Sequence, residues 1–237
     1  CPNDSNPDQA DSDGDSLGDA CDDCHNQAAD PNDDLVIDIL DVVLIVNTVL
    51  SGGAGYTDCE LADADVDSNG VINITDIIQT INIVLSGGRV ASVDLDGGRA
   101  VADFSVVGSD MVISIDSEID FSGLQLIFES DIDNKVNVKD NSHIEKLSSY
   151  NDGIVRFVGY SMFNHSFDSR KSEIVIEGGA TLEPNSIALI ISSPSGKEID
   201  ISRSVLGVVY QTGVYEFNLT KVYPNPFNPT TEIDFTV

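Results

Sequence analysis

The chain has 237 residues, 41 acids against 11 Lys and Arg, and a formal charge of -30. That length allows one large domain or two to three small ones, and an apolar fraction of 41% is enough to build cores. A surplus of this sign leaves no basic patch to meet phosphates, which excludes a nucleic-acid partner. The longest apolar runs, about ten residues, are too short to span a bilayer.

The charge is concentrated at the N-terminal side. Residues 1–88 contain no Lys or Arg and nineteen acids, all Asp except Glu60. Self-repulsion on that scale opposes compaction, so the stretch is either disordered or neutralised by cations. The apolar runs Val42–Leu50 and Ile77–Leu85 argue against disorder, which goes with low hydrophobicity. Asp, with its short stem, suits tight oxygen-ligand loops around a hard cation. The four cysteines, Cys1, Cys21, Cys24 and Cys59, form an even set that suits an oxidising compartment. Cys21 and Cys24 make a Cys-x-x-Cys pair, but no second pair and no His-x-x-x-His follows to complete a zinc site. The chain opens in mid-motif, as expected of a fragment or a processed product.

Residues 1–23 have no apolar periodicity and cannot build a core. Asp11, Asp13, Asp15, Asp19 and Asp22 fall at positions 1, 3, 5, 9 and 12 of a calcium loop. Ions and a Cys1–Cys21 disulfide would have to hold the segment. Its Cys-Pro, Asn-Pro-Asp-Gln, Asp-x-Asp-Gly-Asp and Gly-Asp-Ala-Cys elements resemble a thrombospondin type 3 repeat, and the resemblance implies calcium as the bound ion.

From Cys24 the sequence repeats itself with a period of 35 residues: Cys24 maps to Cys59, Asp30 to Asp65, Asp34 to Asn69, Asp41 to Asp76 and Asn47 to Asn82. Each copy offers calcium an oxygen set. The first is Asp30, Asn32, Asp34, the Val36 carbonyl, Asp38 through water, and Asp41. The second is Asp65, Asp67, Asn69, the Val71 carbonyl, Asn73 and Asp76. The sharp turn at position six falls on Leu35 in the first loop and Gly70 in the second. A positive φ there would strain Leu35 by about 1–2 kcal/mol. Each loop is expected to feed a helix, Asp41–Leu50 and Asp76–Leu85, stopped by Gly-Gly. Val and Ile are poor helix formers, but position twelve of such a loop lies in the first turn of the exiting helix. Both helices are apolar almost all round, so each must bury more than one face. One face can meet the sister helix. The rest needs a surface in this chain or in a partner.

Two such units in tandem resemble a type I dockerin over residues 24–88, the module that plugs into cohesins in polysaccharide-degrading complexes. The resemblance implies a cohesin-like partner, in the same or another chain, faced by Ile39, Leu40, Val46 and Asn47 and by Ile74, Thr75, Ile81 and Asn82. Many members carry Ser or Thr at the first pair of these positions, and here only Thr75 fits. Cys24 and Cys59 hold matching positions in the repeat and are expected to pair, a departure from cellulosomal dockerins.

Over residues 89–204 the pattern changes to short alternating runs, among them Met111–Ile115, Gly123–Phe128, Ile154–Val158, Ile174–Ile176 and Ile187–Ile191. Many short strands with regular turns predict an all-β antiparallel sandwich. The stretch Ser149–Ser161 resembles cohesin-like domains, which would make the sandwich a jelly roll; another immunoglobulin-like sandwich is the alternative. Residues 205–221 are expected to hold a linker or one more strand. In residues 222–237 the run Tyr223-Pro224-Asn225-Pro226-Phe227-Asn228-Pro229-Thr230-Thr231 resembles the opening of the C-terminal sorting domain used by type IX secretion, implying a secreted or outer-surface location. The three prolines enforce an extended segment, and the strand after Thr231 is expected to belong to a domain cut short.

Catalytic signatures are absent from the sequence. His25, His143 and His165 are scattered, and no Gly-x-Ser-x-Gly or His-Glu-x-x-His occurs. Glu118 and Asp120 are a chance pair in an acidic stretch. Tyr150, Tyr160, Phe163 and Phe167 could form a sugar platform but are expected to be core residues. Asn73, Asn164 and Asn218 lie in glycosylation sequons, idle in a bacterial protein. The expectation is a multidomain, non-catalytic, calcium-binding protein, secreted or on the outer cell surface, that assembles or adheres by dockerin–cohesin-type docking. The alternatives are the accessory region of a secreted polysaccharide-degrading enzyme whose catalytic domain lies upstream, and a carbohydrate-binding sandwich with polysaccharide as partner.

Overall fold

The computed structural model describes residues 7, 9, 27–86, 98–139, 143–167 and 170–205, and the backbone alone of 218–228 and 230–236. Three helices come first: α1 (Ile39–Ser51), α2 (Asp58–Ala64) and α3 (Ile74–Leu85). Strands β1 (Arg99–Val107), β2 (Asp110–Ser117), β3 (Gly123–Glu129), β4 (Val136–Lys139), β5 (Glu145–Asn151), β6 (Ile154–Tyr160), β7 (Lys171–Ile176), β8 (Ala188–Ser192) and β9 (Asp200–Val205) follow. The last pair is β10 (Asn218–Asn228) and β11 (Thr230–Thr236).

Strands β1 to β9 make two sheets, in the orders β4-β7-β2-β1-β9 and β5-β6-β3-β8. Alternation decides what lies between them. Phe104, Met111, Ile113, Ile115 and Ile174 of the first sheet meet Leu124, Leu126, Phe128, Val155, Phe157, Leu189 and Ile191 of the second in one buried core. The sandwich expected from the sequence is present, with one correction: β1 and β9 pair in parallel. Strand β8 lies in one sheet and β9 in the other: after β8 the chain turns back, Ser192 bridging Glu198 antiparallel, and then crosses to the first sheet, where β9 lies beside β1.

The second sheet is covered on its outer side as well. The positions of β6 that alternate with Val155 and Phe157 are Arg156, Val158 and Tyr160. Val158 and Tyr160 join Val42, Ile45, Val46, Val49, Ile74, Ile77, Ile78 and Ile81 of α1 and α3 in a second core. The surface that two all-round apolar helices require is therefore the outer face of this chain's own sandwich. Gly123 permits a close approach: a Cβ there would stand 2.5 Å from Cγ1 of Ile74.

Both long helices begin two residues earlier than expected, because Asp38 and Asn73 serve as N-caps. Helix α1 ends on Gly52, which holds a left-handed φ of 68° as a C-cap glycine does. Helix α2 was not foreseen, although Thr57 and Glu60 form a complete capping box at its start. The expected boundary between residues 221 and 222 falls inside β10. That strand pairs antiparallel with β11, so the final strand has a partner. The register shift between Tyr223 and Asn228 spans two prolines, which have no N–H to give to a ladder.

Candidate calcium loops and the docking face

The two loops are built by side chains that bind their own backbone. In the second, Asp65 Oδ2 accepts the Gly70 N–H at 2.7 Å, Asn69 Oδ1 accepts the Val71 N–H at 2.8 Å, and Asn73 Oδ1 accepts the Thr75 N–H at 2.8 Å. In the first, Asp30 Oδ2 accepts the Leu35 N–H at 2.8 Å, Asp34 Oδ1 accepts the Val36 N–H at 2.9 Å, and Asp38 Oδ1 accepts the Leu40 N–H at 2.7 Å. Position twelve closes each capping box: Asp41 Oδ2 accepts from the Asp38 N–H at 2.7 Å and Asp76 Oδ2 from the Asn73 N–H at 2.8 Å. Position six is left-handed in both, with φ 64° at Leu35 and 84° at Gly70. Leu35 thus stands in the conformation that strains a residue with a Cβ.

The carboxylates converge. One oxygen each of Asp65, Asp67 and Asp76 lies within 4.8 Å of the others. Burial pushes the Asp76 carboxyl up to about 6, with the Asp67 charge adding to it. Burial likewise pushes Asp41 up to about 6, and Asp30, Asp34 and Asp38 reinforce the shift by repulsion. Asp30 is raised too, chiefly by burial. Buried carboxyls facing one another are costly as anions unless a cation or donors meet them. In the first loop Oδ1 of Asp30 and Oδ1 of Asp41 are buried with no hydrogen-bond partner. An all-oxygen set of carboxylates, one amide in the first loop and two in the second, and one backbone carbonyl fits a hard divalent cation such as calcium.

The partner-facing residues expected from the sequence divide by copy. Ile74, Thr75 and Ile81 are buried and Asn82 is half-buried, while Ile39, Leu40 and Asn47 are exposed and Val46 is buried in the helix core. The second copy is the one fastened to the sandwich. The Ile74 N–H donates to Gln125 Oε1 at 2.8 Å, Gln79 Nε2 to the Gly196 carbonyl at 2.9 Å, and Asn82 Nδ2 to the Pro194 carbonyl at 2.9 Å. Asn164 Nδ2 reaches both Asn82 Oδ1 and the Pro194 carbonyl at 2.7 Å, so this sequon asparagine is a clamp. From the first copy, the Leu50 carbonyl accepts the Ser149 hydroxyl, and the Arg156 side chain packs over Gly52. From the sequence, Asn164 is marked only as a sequon, and the other sandwich residues are given no docking role. Gln125 carried a signal, as a polar residue inside an otherwise apolar strand.

Cys59 is disulfide-bonded, and its expected partner Cys24 lies outside the described residues. So do Cys1, Cys21, Asp11, Asp13, Asp15, Asp19 and Asp22 of the N-terminal repeat, and His25. The aromatic platform is dispersed. Tyr160 is buried under the helices, Phe167 stacks on Phe121 in the sandwich core with centroids 4.7 Å apart, and Phe163 is exposed. Asp120 forms a surface ion pair with Arg170, whose Nη1 donates to the Glu118 backbone carbonyl.

No family model matches the chain, and no curated protein does. Among solved structures, the chain is similar to a non-cellulosomal cohesin from the hyperthermophilic archaeon Archaeoglobus fulgidus. The identity is 13% over 49% of this chain and 94% of that one, with a TM-score of 0.30.

Proposed function

We propose that this chain is a non-catalytic, calcium-dependent docking module, secreted or exposed at the cell surface, in which calcium sets the helices that close the sandwich's outer face. The observation that carries this reading is the direct passage from loop to seat. Asn73 and Asp76 belong to the second oxygen loop and form the capping box of α3. The very next N–H, that of Ile74, is the one bonded to Gln125 of β3. A calcium ion held by Asp65, Asp67, Asn69, the Val71 carbonyl, Asn73 and Asp76 would neutralise the converging carboxylates and pin the start of α3. Folding of the module and binding of the ion are then one equilibrium.

The partner of the dockerin-like helices is the chain's own sandwich, so the module is locked on itself and acts as a spacer or adhesion unit. The disulfide at Cys59 and loops suited to extracellular calcium support a location outside the cytoplasm. Among the described residues, no helix is long and apolar enough to cross a membrane. Light scattering coupled to gel filtration tests the self-locked form: in calcium the chain should remain a monomer as concentration rises, and concentration-dependent polymers would contradict it.

A further inference from the structure

The two loops share their pattern of ligand positions, and among the places where they differ is the residue after the first ligand, which is Pro31 in one and Val66 in the other. In the second loop the Val66 N–H donates to Asp76 Oδ1 at 2.9 Å, so both oxygens of that buried carboxylate are satisfied by backbone. Proline has no N–H. Its counterpart carboxylate, Asp41, is fully buried, and its Oδ1 has no donor. The first-position ligands differ in the same direction. The Asn69 N–H serves both Asp65 Oδ1 and Asp67 Oδ1 at 3.1 Å. The equivalent Asp34 N–H goes to Asn32 at 3.0 Å, and Oδ1 of Asp30, on a residue 1% exposed, is left unpartnered.

We infer that Pro31 makes the first loop the obligatory cation site of the module and leaves the second loop able to keep its shape without an ion. The inference rests on the calcium reading above. Stripped of cation, the second loop falls back on its own backbone donors. At neutral pH the first has two buried carboxylate oxygens left for a cation, a proton taken up by the carboxyl, or local unfolding that admits water to satisfy. Calcium should therefore fill the first loop at lower concentration. The module should lose its structure when that loop empties, and emptying the second loop should leave the fold standing.

The test is a calcium chloride titration of the 15N-labelled chain followed through the amides of Leu35 and Gly70, one reporter in each loop, in the native sequence and in Pro31→Ala. The expected result is that Leu35 responds first, and that Pro31→Ala, by restoring a donor to Asp41, weakens calcium at the first loop by about tenfold without moving the Gly70 midpoint. Gly70 responding first, or both loops responding together with no effect of Pro31→Ala, would overturn the inference and leave the calcium reading standing. No response at either amide would overturn both.

Discussion

The two copies of the repeat have nearly the same local structure and opposite surroundings. Ile74, Thr75 and Ile78 of the second copy are 0%, 1% and 0% exposed, whereas their counterparts Ile39, Leu40 and Val43 are 47%, 56% and 46% exposed. The loops diverge the other way, since the carboxylates of the second accept from its own backbone, whereas the first holds orphaned carboxylate oxygens and a left-handed leucine. One copy is fastened directly to the sandwich, and the other is the copy whose loop, on our proposal, an ion must complete before the module as a whole holds. A repeat fixes how each unit folds, and its neighbours decide what each unit is for.

The largest expected effect treats both copies alike. Asp41 and Asp76 have carboxyls pushed from 3.8 up to about 6. In chelator the folded chain therefore holds more protons than the unfolded chain between these values, and stability must fall as pH rises from about 4 to about 6. At about 1.4 kcal/mol per pH unit, discounted for solvent screening, the two groups together lower the calcium-free stability by a few kcal/mol. Thermal melting in chelator should show a higher midpoint at pH 4.5 than at pH 7, and saturating calcium should abolish or invert that slope. A calcium-free midpoint that climbs with pH would break this account of the loops.

The copies separate under truncation. Ile78→Ala should cost about 2–5 kcal/mol by removing a fully buried side chain from the helix–sheet core. The equivalent Val43→Ala should cost less than about 0.5 kcal/mol. Equal costs in urea denaturation would mean that the first copy's face is covered too. Gln125→Ala strands the buried Ile74 N–H and should cost about 1–3 kcal/mol, whereas Ser149→Ala, at a half-exposed hydroxyl on the first copy's side, should cost less. The backbone term has the opposite sign: Leu35→Gly should stabilise the chain by about 1 kcal/mol by relieving the positive φ, readable as a rise in melting temperature.

Much of this architecture was legible. The period of 35, the oxygen positions and the alternating strands lie open in the sequence because each depends on local spacing. The start of α1 and α3 at Asp38 and Asn73 was also within reach, since position nine is an Asx residue three before an acid. What spacing could not supply was partnership across the chain. Nothing local to Ile74 says that its N–H will meet Gln125, 51 residues away, and nothing local to Tyr160 says that helices will cover it. The parallel pairing of β1 with β9 depends on how a later connection crosses the sandwich. The consequence of Pro31 becomes visible only once Val66 is seen donating to Asp76.

The central claim is that the ion holds the helices on the sheet, and backbone hydrogen exchange with and without calcium tests it most directly. The account predicts that chelation at neutral pH accelerates exchange throughout Ile39–Ser51 and Ile74–Leu85, while β1, β2 and β7, on the far sheet of the sandwich, stay protected. Protection of both helices that is the same with and without calcium would contradict it.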